Sequence, residues 1–496
     1  MKELLEYFII KWLSLQLIIL IIMLTLLVWN KKKSIYFEIK KHKSYYILLL
    51  MIFLFGFFIR LSNIAHYNFV QVDTMEFVVD GAMINLENKF VYVNDAPVFP
   101  LIISVFQRLF GYNPIAGNIV ALIFGSLSII LLFIFVQLLF KKYKVSLMSS
   151  LLLAFSTLHY EASLNTVIPF AIQTFFVMLS LIIFLLAIKY NKIKFYVMLG
   201  IVLGLTAQIY YIDLILVFIL LAYLFVNNGF KYFKRIEIYL TLFITILSVV
   251  PFFLLQNSSN NSINVIDSSP LSSFTCSWYG NKCNLFSFHY LFYEAYNMDI
   301  ATNPNLNNFK GQLLSYGTYL LFGNGRVIDK DYFIVGTLYE NQGSKINFIY
   351  LIFTFFVIVS FFNRRYNLKI LLLMFFIIYL IAYSMYYDRI PISLNGIEAI
   401  FIIPLASLGL FIITNKISNK KIIRSLLVIF ILIILISPIF SERIIQKSFK
   451  TSIFNEKNNL DGWETWWSAK ECGIPYKIYS YICKKVFMMV KNERIP

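Results

Sequence analysis

Three carboxylates, Asp73, Glu76 and Asp80, stand at steps of three and four residues in the segment VDTMEFVVDGAMINLE. Such steps return to one side of an α-helix, so the three share a face. A carboxylate fixed within hydrogen-bond reach of a hydroxyl takes its proton, which makes this face suited to general-base chemistry. The plainer reading of the same spacing is the solvated acidic side of an interfacial helix. Further carboxylates stand where apolar runs end, at Asp95, Glu161, Asp213 and Glu398. Each is either a partner in one site or an ordinary residue at the edge of a span.

The cations near these acids are few. Arg60 closes an apolar run, a position from which a long side chain snorkels to the interface. Arg389, in the short stretch YDRIP, is the better candidate for holding a phosphate, because the loops on its side are otherwise so poor in cations. His159 lies two residues before Glu161, but the chain has 4 histidines and no ligand-spaced pair among them. No metal ligand is therefore assigned, and no cofactor; a divalent cation is compatible with the acids but not indicated by them.

The elements that must hold these residues are set by composition. The 496 residues are 59% hydrophobic and 14% charged, with 51 Phe and 33 Tyr, which describes a polytopic membrane protein. A formal charge of +18 would point to nucleic acid in a soluble chain. Here the basic residues cluster in short segments between apolar runs, the positive-inside pattern, and nucleic acid is excluded as a partner. The expectation is an all-α fold of about twelve transmembrane helices, with outer-face juxtamembrane helices and a long extracytoplasmic loop.

The first apolar run, Leu13 to Trp29, is followed by Lys31, Lys32 and Lys33 and lacks a small-residue cleavage site. It reads as a retained helix with its N-terminus outside, and the lysines read as an inside loop. A second helix from Tyr45 to Ala65 leads outward, which places the first outer loop, 66–112, and its acids on the extracytoplasmic side. Within that loop Pro97 to Gly111 is apolar but too short to span, and is expected as an amphipathic or re-entrant helix at the interface. Pro97 and Pro100 suit its first turn, where a missing N–H costs little. Later spans include Asn113 to Phe140, Val145 to Tyr160, Val167 to Tyr190, Phe195 to Tyr210, Ile212 to Val226 and Ile238 to Leu255. The clusters at Lys141, Lys142 and Lys144, at Lys189, Lys192 and Lys194, and at Lys231, Lys234 and Arg235 mark the inside.

Residues 1–440 thus form the transmembrane part, interrupted by a long outer loop at 256–345 and followed by an extracytoplasmic tail at 441–496. The four cysteines, Cys276, Cys283, Cys472 and Cys483, fall in that loop and tail. Two local disulfides are expected, although four cysteines allow three pairings. There is no internal repeat and no phosphate-cradling or dinucleotide fingerprint, so chemistry driven by a cytosolic nucleotide has no support.

One pattern ties these pieces together. Arg60-Leu61, Asp73, then Pro97 and Pro100 opening an apolar segment that ends Leu109-Phe110-Gly111, resembles the start of the polytopic glycosyltransferases of the C superfamily. The branch holding the protein mannosyltransferases and the lipid A aminoarabinose transferases is the nearest. Looser matches are Ala154-Phe155-Ser156 leading to Glu161 and Pro169, then GIVLGL from Gly200, and Ile397 to Leu410 with Pro404. The chain departs from the pattern where members often have adjacent acids, here Asp73-Thr74, and where a basic residue often precedes the prolines, here Asp95.

The resemblance implies an enzyme of the outer membrane face that moves a sugar from a polyprenyl-phosphate donor to a hydroxyl of a glycan, lipid or protein acceptor. Asp73 and Glu76 are then the catalytic candidates. Arg60, Asp80, Asp95, Pro97, His159, Glu161 and Arg389 are the substrate-binding candidates. The other readings are a transporter or flippase of lipid-linked glycans, which would need ionisable residues deep in several spans, and a polymerase or ligase of surface glycans.

Overall fold

The computed structural model describes residues 2–64, 72–88, 90, 97–110, 116–164, 170–209, 211–260, 355–360 and 398–416. Every regular element among them is helical. In chain order they are α1 (Lys2–Lys41), α2 (Lys43–Ile64), α3 (Val72–Glu87), α4 (Val98–Phe110), α5 (Ala116–Phe140), α6 (Tyr143–Phe155), α7 (Thr157–Ala162), α8 (Phe170–Tyr190), α9 (Ile193–Ile209), α10 (Ile215–Asn228), α11 (Ile236–Asn260) and α12 (Ile403–Lys416). Short 3-10 turns at Tyr211–Leu214 and Gly229–Lys234 flank α10, and a π-helical turn at Glu398–Ile402 leads into α12.

Among the described residues four helices, α1, α2, α5 and α8, are long and apolar enough to cross a membrane, and six shorter ones are also apolar. The protein is an integral membrane protein. The segments 256–345 and 441–496, expected as an outer loop and a tail and holding all four cysteines, lie outside the described residues, apart from the end of α11.

Two turns show how tightly neighbouring helices are joined. α5 passes to α6 through Lys141 and Lys142, and α8 passes to α9 through Asn191 and Lys192. Lys141 and Asn191 adopt φ of +56° and +49°, the left-handed conformation that ends helices by turning the chain sharply. Antiparallel neighbours follow, and α5 packs on both α6 and α8 while α8 packs on α9.

The pair α9 and α11 approaches most closely at Gly200 and Gly204, four residues apart on one face of α9. A Cβ at Gly204 would stand 2.3 Å from Ser248 Cβ, and one at Gly200 would stand 2.8 Å from Ile244 Cβ. Thr245 Oγ1 donates to the Gly200 carbonyl at 3.3 Å. Small residues let the backbones meet where lipid supplies no hydrophobic drive for helix association.

Two expectations about spans are corrected. The first helix does not stop at Trp29: it runs unbroken through the lysines to Lys41, 40 residues in all. Lysine is a good helix former, and three in succession do not break a helix. His42 alone separates α1 from α2, and its ring stacks on Tyr143 with centroids 4.2 Å apart, while the Tyr143 hydroxyl donates to Glu38. The second correction is at Val145 to Tyr160, which is not one continuous helix. α6 ends after 13 residues, because Ser156 turns to an extended conformation (φ −62°, ψ 124°) and restarts the chain as α7.

Candidate active site

Ser156 both stops α6 and begins α7. Its hydroxyl accepts from the His159 N–H at 3.2 Å, the bond a helix N-cap makes to the third residue of its helix. The elbow leaves α6 carbonyls without helical partners, and Arg60 fills one of them. Arg60 Nη1 donates to the Ala154 carbonyl at 3.1 Å and to the Gly56 carbonyl of its own helix at 2.9 Å. The guanidinium also sits 5.6 Å from the centroid of the Tyr160 ring on α7, within reach of cation–π attraction.

Arg60 therefore does not snorkel: its side chain is wholly buried. The reason is local. Gly56, one turn earlier, leaves room for the head to fold inward, since a Cβ there would lie 3.3 Å from Arg60 Nη1. Among the described residues neither Nε nor Nη2 of Arg60 has a hydrogen-bond partner.

His159 is equally buried. Its Nε2 lies 2.9 Å from the Gly125 carbonyl of α5, and Asn118 of α5 donates to the Leu164 carbonyl at 2.7 Å. These bonds pin α7 to the first half of α5. Glu161 is carried on α7 next to Tyr160. Arg60, His159, Tyr160 and the backbone of Glu161 thus meet at one corner of the bundle, the α6–α7 elbow.

The acidic segment is a helix as the spacing requires. α3 holds Asp73 and Glu76 in its first half and Asp80 at its middle. It packs on α4, with Gly81 close against the Pro100 carbonyl, Ile103 and Gln107. Gln107 donates to the Val78 carbonyl at 2.9 Å and Asn85 to the Ser104 carbonyl at 2.8 Å. Arg108 donates to Asn85. Phe77 meets Phe99 with ring centroids 5.0 Å apart.

The first two turns of α4, Val98 to Ser104, are buried on every side, and beyond them Gln107 is buried whereas Val105, Leu109 and Phe110 are exposed. Only the second half of the helix is thus divided in the way that suits an interface. Pro97, just ahead of it, is buried too. Asp80 corrects the solvated-face reading at its own position: it is 1% exposed, because the packing of α3 on α4 and α5 encloses the middle of the helix.

Asp213 is not an ordinary boundary residue either. It is buried in the 3-10 turn after α9 and accepts from Gln173 Nε2 at 2.8 Å. Asp95 and Arg389 lie outside the described residues. Residues that spacing alone missed are Ser156, Tyr160, Gln173 and Gly56. A glycine four residues before an arginine in an apolar run, and a serine-threonine pair inside another, were the signals available. Glu6, 3% exposed on α1, is a further buried acid.

Residues 94–254 match the family model described as dolichyl-phosphate-mannose-protein mannosyltransferase. Among solved structures, the archaeal oligosaccharyltransferase AglB from Archaeoglobus fulgidus, in complex with an inhibitory peptide and a dolichol-phosphate, is similar with TM-score 0.51 and 14% identity, over 86% of this chain and 58% of that one. The Archaeoglobus fulgidus oligosaccharyltransferase tethered with an acceptor peptide gives TM-score 0.51 and 14% identity over 89% and 59%. ArnT from Cupriavidus metallidurans bound to undecaprenyl phosphate gives 0.50 and 14% over 74% and 60%. The chain thus spans less than two thirds of the length of each of these relatives. No curated protein matches the sequence. These likenesses establish a shared fold.

Proposed function

We propose that this chain is a polytopic membrane glycosyltransferase of the C superfamily that moves a sugar from a polyprenyl-phosphate donor to an acceptor hydroxyl at the extracytoplasmic face. One observation carries the reading: α3, with Asp73, Glu76 and the buried Asp80, is packed on α4, and α4 lies inside the segment that matches the family. About twelve spans complete the membrane domain, with the loop at 256–345 and the tail at 441–496 shaping the acceptor site.

The acceptor oxygen attacks the anomeric carbon while Asp73 takes its proton. The bond from that carbon to the phosphate oxygen breaks, and the polyprenyl phosphate leaves with the electron pair. Attack opposite the leaving group inverts the anomeric centre. Glu76 or Asp80 orients the acceptor or supports Asp73. Arg389 meets the charge that develops on the departing phosphate, where a fixed cation acts most strongly. Arg60 holds the α6–α7 elbow and so positions His159 and Glu161 beside the acceptor. A lipid-borne donor also explains an enzyme without a nucleotide-binding motif.

The test is transfer by the purified protein in lipid, from a panel of radiolabelled polyprenyl-phosphate sugars to a membrane extract. Label should move with the native chain, and Asp73→Asn should slow it by roughly 10²–10⁴-fold. Transfer that survives the change moves the base to Glu76 or Glu161. Folded protein that transfers from no donor overturns the enzyme reading and leaves a transporter of lipid-linked glycans.

A further inference from the structure

Past Leu27, α1 leaves the packed part of the bundle. Val28 to Lys41 are exposed at every position, whereas Ile9, Ile10, Leu13 and Leu20 of the first half are buried. Two contacts fix where the exposed stretch runs. The Lys31 ammonium stands 5.1 Å from the centroid of the Tyr190 ring at the end of α8. Glu38 accepts from the Tyr143 hydroxyl at the start of α6, and the His42 ring stacks on Tyr143. Residues 31, 38 and 42 are seven and four apart, so they share one face of the helix. That face is laid against the lysine-rich turns of the bundle.

A different face carries apolar side chains. Trp29, Ile35, Tyr36 and Ile39 are all exposed, and with Lys32 among them they follow steps of three and four residues, which makes them one stripe. The Lys32 ammonium lies 4.1 Å from the centroid of the Trp29 ring, so the lysine within the stripe folds back on an aromatic neighbour. At about 100° per residue, Lys33 and Lys40 border the stripe on one side and Lys31 on the other. Phe37 is exposed off the stripe.

The charge of the stretch is unbalanced. It holds five lysines, Lys31, Lys32, Lys33, Lys40 and Lys41, against one acid, Glu38. That acid is taken up by Tyr143 and by His42, whose Nε2 lies 3.9 Å away. Among the described residues none of the five lysines is in an ion pair. Lys189 shares the Tyr190 ring with Lys31, 5.0 Å from its centroid, and Lys43, Lys141 and Lys144 are exposed around the His42 turn. Cations thus gather without anions beside an uncovered row of tryptophan, tyrosine and isoleucine.

We propose that residues 29–41 dock on a bilayer surface rich in anionic phospholipid, the stripe seated where headgroups meet acyl chains and the lysines set against the phosphates. Tryptophan and tyrosine favour that boundary, and a helix with an apolar stripe and a basic flank lies in it. Each lysine near an anionic surface adds to the attraction. The contacts at Tyr190 and Tyr143 hold the helix at the lysine-rich end of the bundle, so the surface is presented already folded. This docking does not depend on the proposed sugar transfer.

The experiment uses the full chain in nanodiscs of phosphatidylcholine alone and of phosphatidylcholine mixed with phosphatidylglycerol. Hydrogen–deuterium exchange read by mass spectrometry follows the amides of 28–41, with those of α5 and α8 as the internal reference. Phosphatidylglycerol should slow exchange in 28–41 and leave the reference unchanged. High salt should cancel the difference, because attraction between exposed charges is screened. Lys33→Gln and Lys40→Gln, both on the border of the stripe, should each reduce the added protection roughly fivefold, the effect of one cation lost near an anionic surface. Equal exchange in the two nanodiscs, or added protection that survives both lysine changes, overturns the proposal. So does protection that appears in both lipids and only in nanodiscs holding two copies of the chain, which would make this face an interface between copies.

Discussion

Arg60 of α2 donates to the carbonyl oxygen of Ala154 at 3.1 Å, and so closes the end of α6 from another helix. The bond joins positions 94 apart in sequence. It holds the elbow from which α7 departs, and through the Tyr160 ring it holds α7 as well.

Arg60→Met should therefore loosen this corner. Two carbonyls lose a charged donor, and hydrogen bonds to charged groups are worth about 1.5–3 kcal/mol each. The variant is expected to unfold several degrees lower in detergent, with Arg60→Lys falling between the two. A methionine variant as stable as the native chain would mean that desolvating the guanidinium costs as much as its contacts return.

Gly204→Leu should separate α9 from α11. The added Cβ meets Ser248 at 2.3 Å, and overpacking costs about 1–3 kcal/mol, occasionally more. Thermal unfolding should show a larger loss for leucine than for Gly204→Ala. The reverse order would indicate that the pair adjusts by sliding.

Gln173→Leu removes a donor from the buried carboxylate of Asp213, a loss of about 1–3 kcal/mol. Gln173→Glu is expected to be worse near neutral pH, because it sets a like charge where the amide stood. Comparing the two by unfolding midpoint checks whether Asp213 is held as an anion. Equal losses would argue that it is not.

On the proposed reaction, Asp73→Asn and Arg389→Gln should both lower kcat and kcat/KM together, because the base and the cation that meets the charge on the departing phosphate both act in the transition state. Steady-state transfer at varied donor concentration checks this, and a pure KM effect at Arg389 would make it a uniform phosphate contact instead. A pure KM effect at Asp73 would remove it from the chemistry.

Much of this was legible in the chain itself. The acid spacing foretold α3, and the paired prolines foretold the start of α4 near Val98. Lysine clusters marked the turns at Lys141 and Asn191, because a span must end where charge begins. Burial was harder to read. Arg60 and Asp80 are ionisable side chains at places where a linear pattern assigns water, and their enclosure depends on Gly56, Gly81 and Gln107 from neighbouring turns or another helix. The break at Ser156 was hidden for a related reason: apolar residues continue on both sides, so hydropathy runs on while the backbone turns. The uninterrupted helix past Trp29 shows the converse, a change of polarity with no change of conformation.

That helix, α1, is about 60 Å long at 1.5 Å per residue, twice the roughly 30 Å depth of hydrocarbon. Its first half is packed at Ile9, Ile10, Leu13 and Leu20, and the helix touches α4, α9 and α11. Its far end is tied through Glu38 and the adjoining His42 to Tyr143. A stiff rod packed against the bundle along one half and held at its far end by the His42 turn couples the two, so that α4 and the His42 turn are in this sense mechanically one piece.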